Sequence, residues 1–171
     1  AEKYRKFGHA KLSEGNIEGA LNDLTKSQEL NPNNVETVHY LGLSYWARGR
    51  FIDDTENLLK AEELIKASLE SKSKPSWQNN LCGLYIDMGR FGEALERCHL
   101  ALKDPLYRTP DRALSNIGRV HLELEQYPQA LEFLDNVPPV CLELFGLFQL
   151  FSFIKKYHDD LIWSEIRIYC L

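Results

Sequence analysis

A large residue followed by a small one, then a ring and a glycine turn with another apolar residue behind it, recurs along this chain. The fullest copy is Leu41-Gly42-Leu43-Ser44-Tyr45-Trp46-Ala47-Arg48-Gly49-Arg50-Phe51. Phe7-Gly8 with Gly15-Asn16-Ile17 precedes it. Leu81-Cys82, Tyr85 and Gly89-Arg90-Phe91 follow, then Ile117-Gly118, His121 and Glu125-Gln126-Tyr127. Three of these turns lead into a second signature: Ile17-Glu18-Gly19-Ala20, Phe91-Gly92-Glu93-Ala94 and Tyr127-Pro128-Gln129-Ala130. Small residues at Gly8 and Ala20 let two helices approach closely, while Phe7, Leu21 and Leu24 fill the seam. The unit is a helix–turn–helix, and one unit cannot bury its own apolar face.

Gly8 and Gly42 stand 34 residues apart, which is the period of tetratricopeptide repeats. The first unit resembles that family without a gap, with Tyr4, Phe7 and Gly8 on one helix and Ala20, Leu24 and Ser27 on the other. Pro32 closes it by lacking an amide donor. The resemblance implies an all-α fold, a right-handed superhelix (α-solenoid) of four helix pairs, with eight helices before residue 138. The expected units are 1–34, 35–74, 75–109 and 110–137, followed by an atypical hydrophobic helical segment at 138–171.

The second unit departs from the pattern. Ten residues separate Phe51 from the small residue Ala61, where three separate Ile17 from Ala20, an excess of seven. Asp53, followed three residues later by Glu56, has the chemistry of a helix start. This predicts a second helix that begins early and runs to about Ser71. The alternative is a longer loop before a helix of normal length.

Beyond Pro138-Pro139 the pattern stops, and residues 140–154 are apolar on nearly every face. That stretch is too short, and with Glu143 and Gln149 too polar, to span a bilayer. It therefore needs a cover. One candidate is the fourth unit through Leu131 and Leu134; the other is self-association through 138–171.

A net charge of −5 argues against nucleic acid, which rewards clustered Lys and Arg, and against a polybasic membrane anchor. No segment is long and apolar enough to span a membrane. The four cysteines, at 82, 98, 141 and 170, form no zinc spacing and read as partly buried thiols. Cys82 and Cys98 fall on the two helices of one unit, so a bridge is conceivable there, but nothing in the spacing calls for it.

There is no glycine-rich phosphate loop, no Gly-x-Ser-x-Gly and no His-Glu-x-x-His. The five histidines are scattered, and His121 takes the place of Tyr45 and Tyr85, so it reads as a packed seam residue. The expectation is no enzyme, no cofactor and no metal, with a protein partner instead.

Stacked units of this kind present a concave face lined by their first helices. Registering the units on their small residues gives the inward positions. They are Arg5, His9, Leu12 and Ser13, then His39, Leu43, Trp46 and Ala47. Asn79, Gly83, Ile86 and Asp87 follow, then Ser115, Arg119, Leu122 and Glu123. Trp46 is either a binding anchor or a packing residue against the next unit. Chaperone-tail-binding members of the family clamp a terminal carboxylate with Lys and Asn. The matching places here hold Arg5, His9, Ser13, Tyr40, Ser76 and Asn80, which reproduce only fragments of the clamp.

A narrower resemblance lies in Ser76-Trp77-Gln78-Asn79-Asn80-Leu81-Cys82-Gly83-Leu84-Tyr85 with Gly89-Arg90-Phe91-Gly92-Glu93-Ala94. The loop Asp104-Pro105-Leu106-Tyr107-Arg108-Thr109-Pro110, leading into Ala113-Leu114-Ser115-Asn116-Ile117-Gly118, adds to it. Together these are similar to the type IV pilus pilotin group. The resemblance implies a lipoprotein at the periplasmic face of the outer membrane that helps secretin subunits assemble. It also makes Leu106, Tyr107 and Arg108 candidate contacts. The alternative is a cytoplasmic adaptor of the same fold that binds a peptide segment of an enzyme or regulator. Because residue 1 already lies within the first unit's register, the chain is expected to be part of a longer one. A leader with a cysteine lipobox upstream would separate the two readings.

Overall fold

A computed structural model of the protein describes residues 1–138. Among them are eight helices and no strand: α1 (Glu2–Ser13), α2 (Ile17–Leu30), α3 (Val35–Ile52), α4 (Thr55–Ser71), α5 (Pro75–Asp87), α6 (Phe91–Leu102), α7 (Pro110–Glu123) and α8 (Tyr127–Leu134). They form four hairpins in series, each packed on the next through α2–α3, α4–α5 and α6–α7 contacts. The apolar stretch at 140–154 lies outside the described residues, and with it the choice between its two expected covers.

The helix ends follow from local chemistry. At the turn of the first pair, Gly15 has φ 79° and Gly89 has φ 70° in the third, a backbone that glycine adopts without penalty. The amides of Asn16 and Arg90 then bond back to the carbonyls of Lys11 and Tyr85. Glu125 takes the same position in the fourth pair at φ 57°, at a cost that glycine avoids. Asn16, Asn34 and Asp54 cap α2, α3 and α4 through their side chains. Pro75, Pro110 and Pro128 stand in the first turns of α5, α7 and α8, where no amide donor is missed.

The second pair resolves the choice left by its excess residues, and corrects one expectation. Its second helix does begin early, at Thr55, and runs to Ser71. Its first helix also lengthens: Gly49, Arg50 and Phe51, expected at the turn, remain inside α3. The turn moves to Asp53, left-handed at φ 51°, and Asp54 rather than Asp53 caps α4 by accepting from the Glu56 amide at 2.9 Å. Gly49 is buried because α4 starts against it; a Cβ there would meet Leu58 Cδ2 at 2.8 Å.

The close approach inside each pair uses one register. A Cβ on Gly8 would stand 2.5 Å from Leu24 Cγ, and one on Gly42 would stand 2.8 Å from Ile65 Cγ1. Gly118 meets Leu134 in the same way. In the third pair the place is held by Cys82, and Cys98 opposite is joined to it by a disulfide with Cα atoms 5.4 Å apart. Both sulfurs are fully buried, so these two residues are not the free thiols expected from their spacing. Among the described residues, the main core cluster is built around the third pair. Residues Leu81 to Ile86 of α5 are buried without interruption, because α3, α4, α6 and α7 surround that helix.

Candidate functional site

The first-helix rows separate by their angle around the helix. At about 100° per residue, the row four after the small residue lies about 40° from it, and the row three before lies about 60° away. Both therefore lean toward the seam. The rows one and five after stand about 100° and 140° away, on the open side.

The observed burial follows these angles. His39 and Ser115 are 1% exposed, Asn79 is 8% and Ile86 is 4%, so these four expected lining residues belong to the seams between pairs. His9, Ser13 and Glu123 are exposed. Arg5, Leu12, Leu43, Trp46, Ala47, Asp87, Arg119 and Leu122 are half-buried. Gly83 is buried under Trp46, whose Cη2 would lie 2.7 Å from a Cβ at that position.

Trp46 thus packs on the next pair while keeping part of its surface open. Its indole Nε1 donates to Asp87 Oδ2 at 2.8 Å. Arg50 Nε reaches the same oxygen at 3.0 Å, and Arg119 donates to Asp87 Oδ1 at 3.0 Å. The Asp87 side chain is only 9% exposed. One carboxylate therefore joins α3, α5 and α7, and two guanidiniums share one negative charge on the open face.

Two further carboxylates bind the array in the same way. Glu36 pairs with Arg5 at 2.9 Å and with Lys74 at 3.2 Å, and the Lys74 hydrogen bond helps hold its carboxyl below the ordinary range. Glu62 accepts from Tyr85 at 3.0 Å and from Arg90 at 2.5 Å. Burial pushes the Glu62 carboxyl up, but these two donors together with the Arg90 and Lys66 charges outweigh it, and the net shift is downward. Burial, reinforced by Glu62, pushes the Tyr85 phenol up to about 12.

Buried polar contacts sit beneath the face. His39 stacks on Trp77 with ring centres 4.1 Å apart. The Asn80 amide donates to His39 Nε2 at 3.1 Å, so the ring's proton is on Nδ1, which donates to Ser68 Oγ at 3.0 Å. The Ser68 hydroxyl in turn donates to the Ile65 carbonyl at 2.7 Å. Every polar atom of the ring is satisfied in the neutral form. Burial and then the Lys74 ammonium push the imidazole down to about 3. Asn116 donates to Asn79 Oδ1 at 3.0 Å in the next seam. His121 stacks on Phe133 with ring centres 5.6 Å apart, as its seam position predicts.

The loop candidates divide. Leu106 is 83% exposed and Arg108 is exposed. Tyr107 instead packs against the central core, and burial raises its phenol. Among the described residues, no helix is long and apolar enough to cross a membrane, and no group of His, Cys, Asp and Glu is placed to hold a metal ion.

Hairpins of this size, closed through small residues and packed in series, define a tetratricopeptide-type superhelix. A thermophilic repeat protein of that type from Thermus thermophilus superposes with a TM-score of 0.72 at 15% identity, over 88% of this chain and 80% of its own. The solved structure of PilF from Pseudomonas aeruginosa superposes with a TM-score of 0.71 at 24% identity, over 98% of this chain and 72% of its own. MamA superposes with a TM-score of 0.62 at 16% identity, over 93% of this chain and 90% of its own.

In sequence, the chain is similar to the type IV pilus assembly protein PilF of Pseudomonas aeruginosa, 29% identical over 153 residues. It is also similar to the BBSome complex member BBS4 of Xenopus tropicalis, at 28% identity over 91% of this chain. The chain spans 58% of the length of the first relative and 35% of the second. No protein-family model matches it.

Proposed function

We propose that this chain is a non-enzymatic scaffold that holds a segment of a partner protein on its first-helix face. The observation that carries the reading is the half-buried set of Leu43, Trp46, Arg119 and Leu122, with Arg50 beside it sharing the Asp87 carboxylate with Arg119. Half-buried Trp and Arg side chains, already fixed by neighbours, lose little freedom when a partner covers them. His9 and Leu12 extend the set into the first pair.

The particular role proposed is in type IV pilus assembly, as a pilotin-like factor that aids secretin subunits at the outer membrane. The similarity to PilF supports it, and so does the buried Cys82–Cys98 bridge. Bridges of that kind form in oxidising compartments such as the periplasm and are rare in reducing cytosol. Exposed Leu106 and Arg108 supply a second contact on the loop before α7.

Purified chain mixed with secretin subunits tests the reading. Trp46→Ala with Arg119→Ala should abolish capture while the helical circular dichroism is kept. Capture that survives this pair but is lost with Leu106→Ser moves the site to the loop. Capture that neither change affects rejects both sites, and the absence of capture by the wild type rejects the secretin.

A further inference from the structure

The excess residues of the second pair do more than lengthen two helices. In the other pairs, the residue nine after the small one opens the second helix: Ile17, Phe91 and Tyr127 are the first residues of α2, α6 and α8. Phe51 holds that register but stays on α3, past the point where α1, α5 and α7 end. Helix continuation carries it outward, away from the seam it would otherwise fill. Phe51 is 83% exposed, and Ile52 beside it is 53% exposed.

A groove of about 510 Å³ runs from these two residues to the turn of the first pair, with Ile17, Glu18 and Arg48 in its lining. Arg48 also borders a second groove of about 570 Å³, which reaches exposed Leu59 between Glu56 and Glu63. The first groove is therefore mainly apolar, through Phe51, Ile52 and Ile17, and the second is bordered mainly by charged side chains, Asp54, Glu56 and Glu63 with Arg48 and Lys60.

The charges choose the occupant. Arg48 stands 3.7 Å from Glu18, and Lys60 is held by Glu63 at 2.8 Å, so these two cations and two carboxylates engage one another and the remaining carboxylates set the sign. Among the described residues, Asp53 and Glu56 face no cation at ion-pair distance. A second copy of this chain would bring the same acidic rim against its own, at a cost in repulsion. A segment with cations beside an apolar anchor gains on both counts.

We propose that the α3 tip and its two grooves dock a partner segment that carries a bulky apolar side chain flanked by Lys or Arg. The surface shares no residue with the first-helix set and does not depend on what that set binds.

The probe is a fluorescein-labelled amphipathic peptide of Lys and Leu, compared with a Glu–Leu peptide and a Lys–Ser peptide of the same pattern. Anisotropy should saturate with the Lys–Leu peptide alone. Phe51→Ser with Ile52→Ser should weaken that binding at least about tenfold, the effect of losing a buried apolar anchor. Glu18→Lys with Glu56→Lys should weaken it by a similar factor, and stands as the second arm if the first pair disturbs folding. Trp46→Ala with Arg119→Ala should leave it unchanged, which separates this surface from the first-helix face. Binding that survives both tip variants, equal binding of the Glu–Leu peptide, or no binding overturns the proposal. So does a dimer that the Phe51 and Ile52 changes convert to a monomer, since the occupant would then be a second copy.

Discussion

Cys98 is covalently joined to Cys82 at the position where other pairs press a large aliphatic residue against a glycine. The bridge and the Gly–Leu contact solve one problem, close helix approach, in two ways. Cys82→Gly with Cys98→Leu should therefore restore the packing seen at Gly8–Leu24 and give a folded protein whose stability no longer responds to reductant. Reduction of the wild type should lower its stability by about 3 kcal/mol, the value for closing a loop of this length. The checks are urea midpoints with and without dithiothreitol. A wild type indifferent to reductant would show that the bridge contributes nothing.

Gly42→Leu should destabilise the array by about 1–3 kcal/mol or more, since overpacking a tight seam forces backbone shifts. Even the first added carbon meets Ile65 twice, at Cγ1 2.8 Å away and at the backbone amide 3.2 Å away. The side chain can turn aside but the amide cannot. An unchanged urea midpoint would mean that the two helices do not meet at this glycine.

The eight helices were legible because turn residues, small residues and period all agree. Three features were not. The disulfide had a signal: Leu24, Ile65 and Leu134 each stand four residues after the small residue of a second helix, and so does Cys98 after Ala94. Matching second helices on that register, as the first helices were matched on Gly8 and Gly42, places Cys98 opposite Cys82. The face was legible only in part: the helix register alone turns His39, Asn79 and Ser115 toward the seam, but the burial of Gly83 beneath Trp46 depends on the neighbouring pair and is not a local property. The turn at Asp53 was missed for a related reason. Gly49-Arg50-Phe51 has turn chemistry, but contact with Leu58 keeps it helical.

His39 makes stability depend on pH. Its imidazole sits at about 3 in the fold against 6.5 in the unfolded chain. The unfolded chain therefore takes up the proton first as pH falls, and the His39 contribution, complete above 6.5, is lost on the way down toward 3. By pH 5 the loss is about 2 kcal/mol. Glu36, paired with Lys74 and held below the ordinary carboxylate range, stays ionised in this window. His39→Gln should flatten the slope between pH 7.5 and pH 5 in urea titrations. If the variant keeps the wild-type slope, another group is responsible.

The Asp87 carboxylate should behave as one coupled unit with Trp46. Asp87→Ala removes the partner of the indole N–H and of two guanidiniums at once. Arg50 and Arg119 have side chains 58% and 35% exposed, so water replaces much of what they lose. The indole, packed on Gly83, recovers less. The expected cost is about 2–3 kcal/mol, the range for a hydrogen bond to a charged group left unmade. Trp46→Phe made on top of Asp87→Ala should then add little, giving a coupling of about 1–2 kcal/mol in a double-mutant cycle of urea midpoints. Costs that simply add would show the two residues to be independent, and the indole would then act through its packing on Gly83 alone.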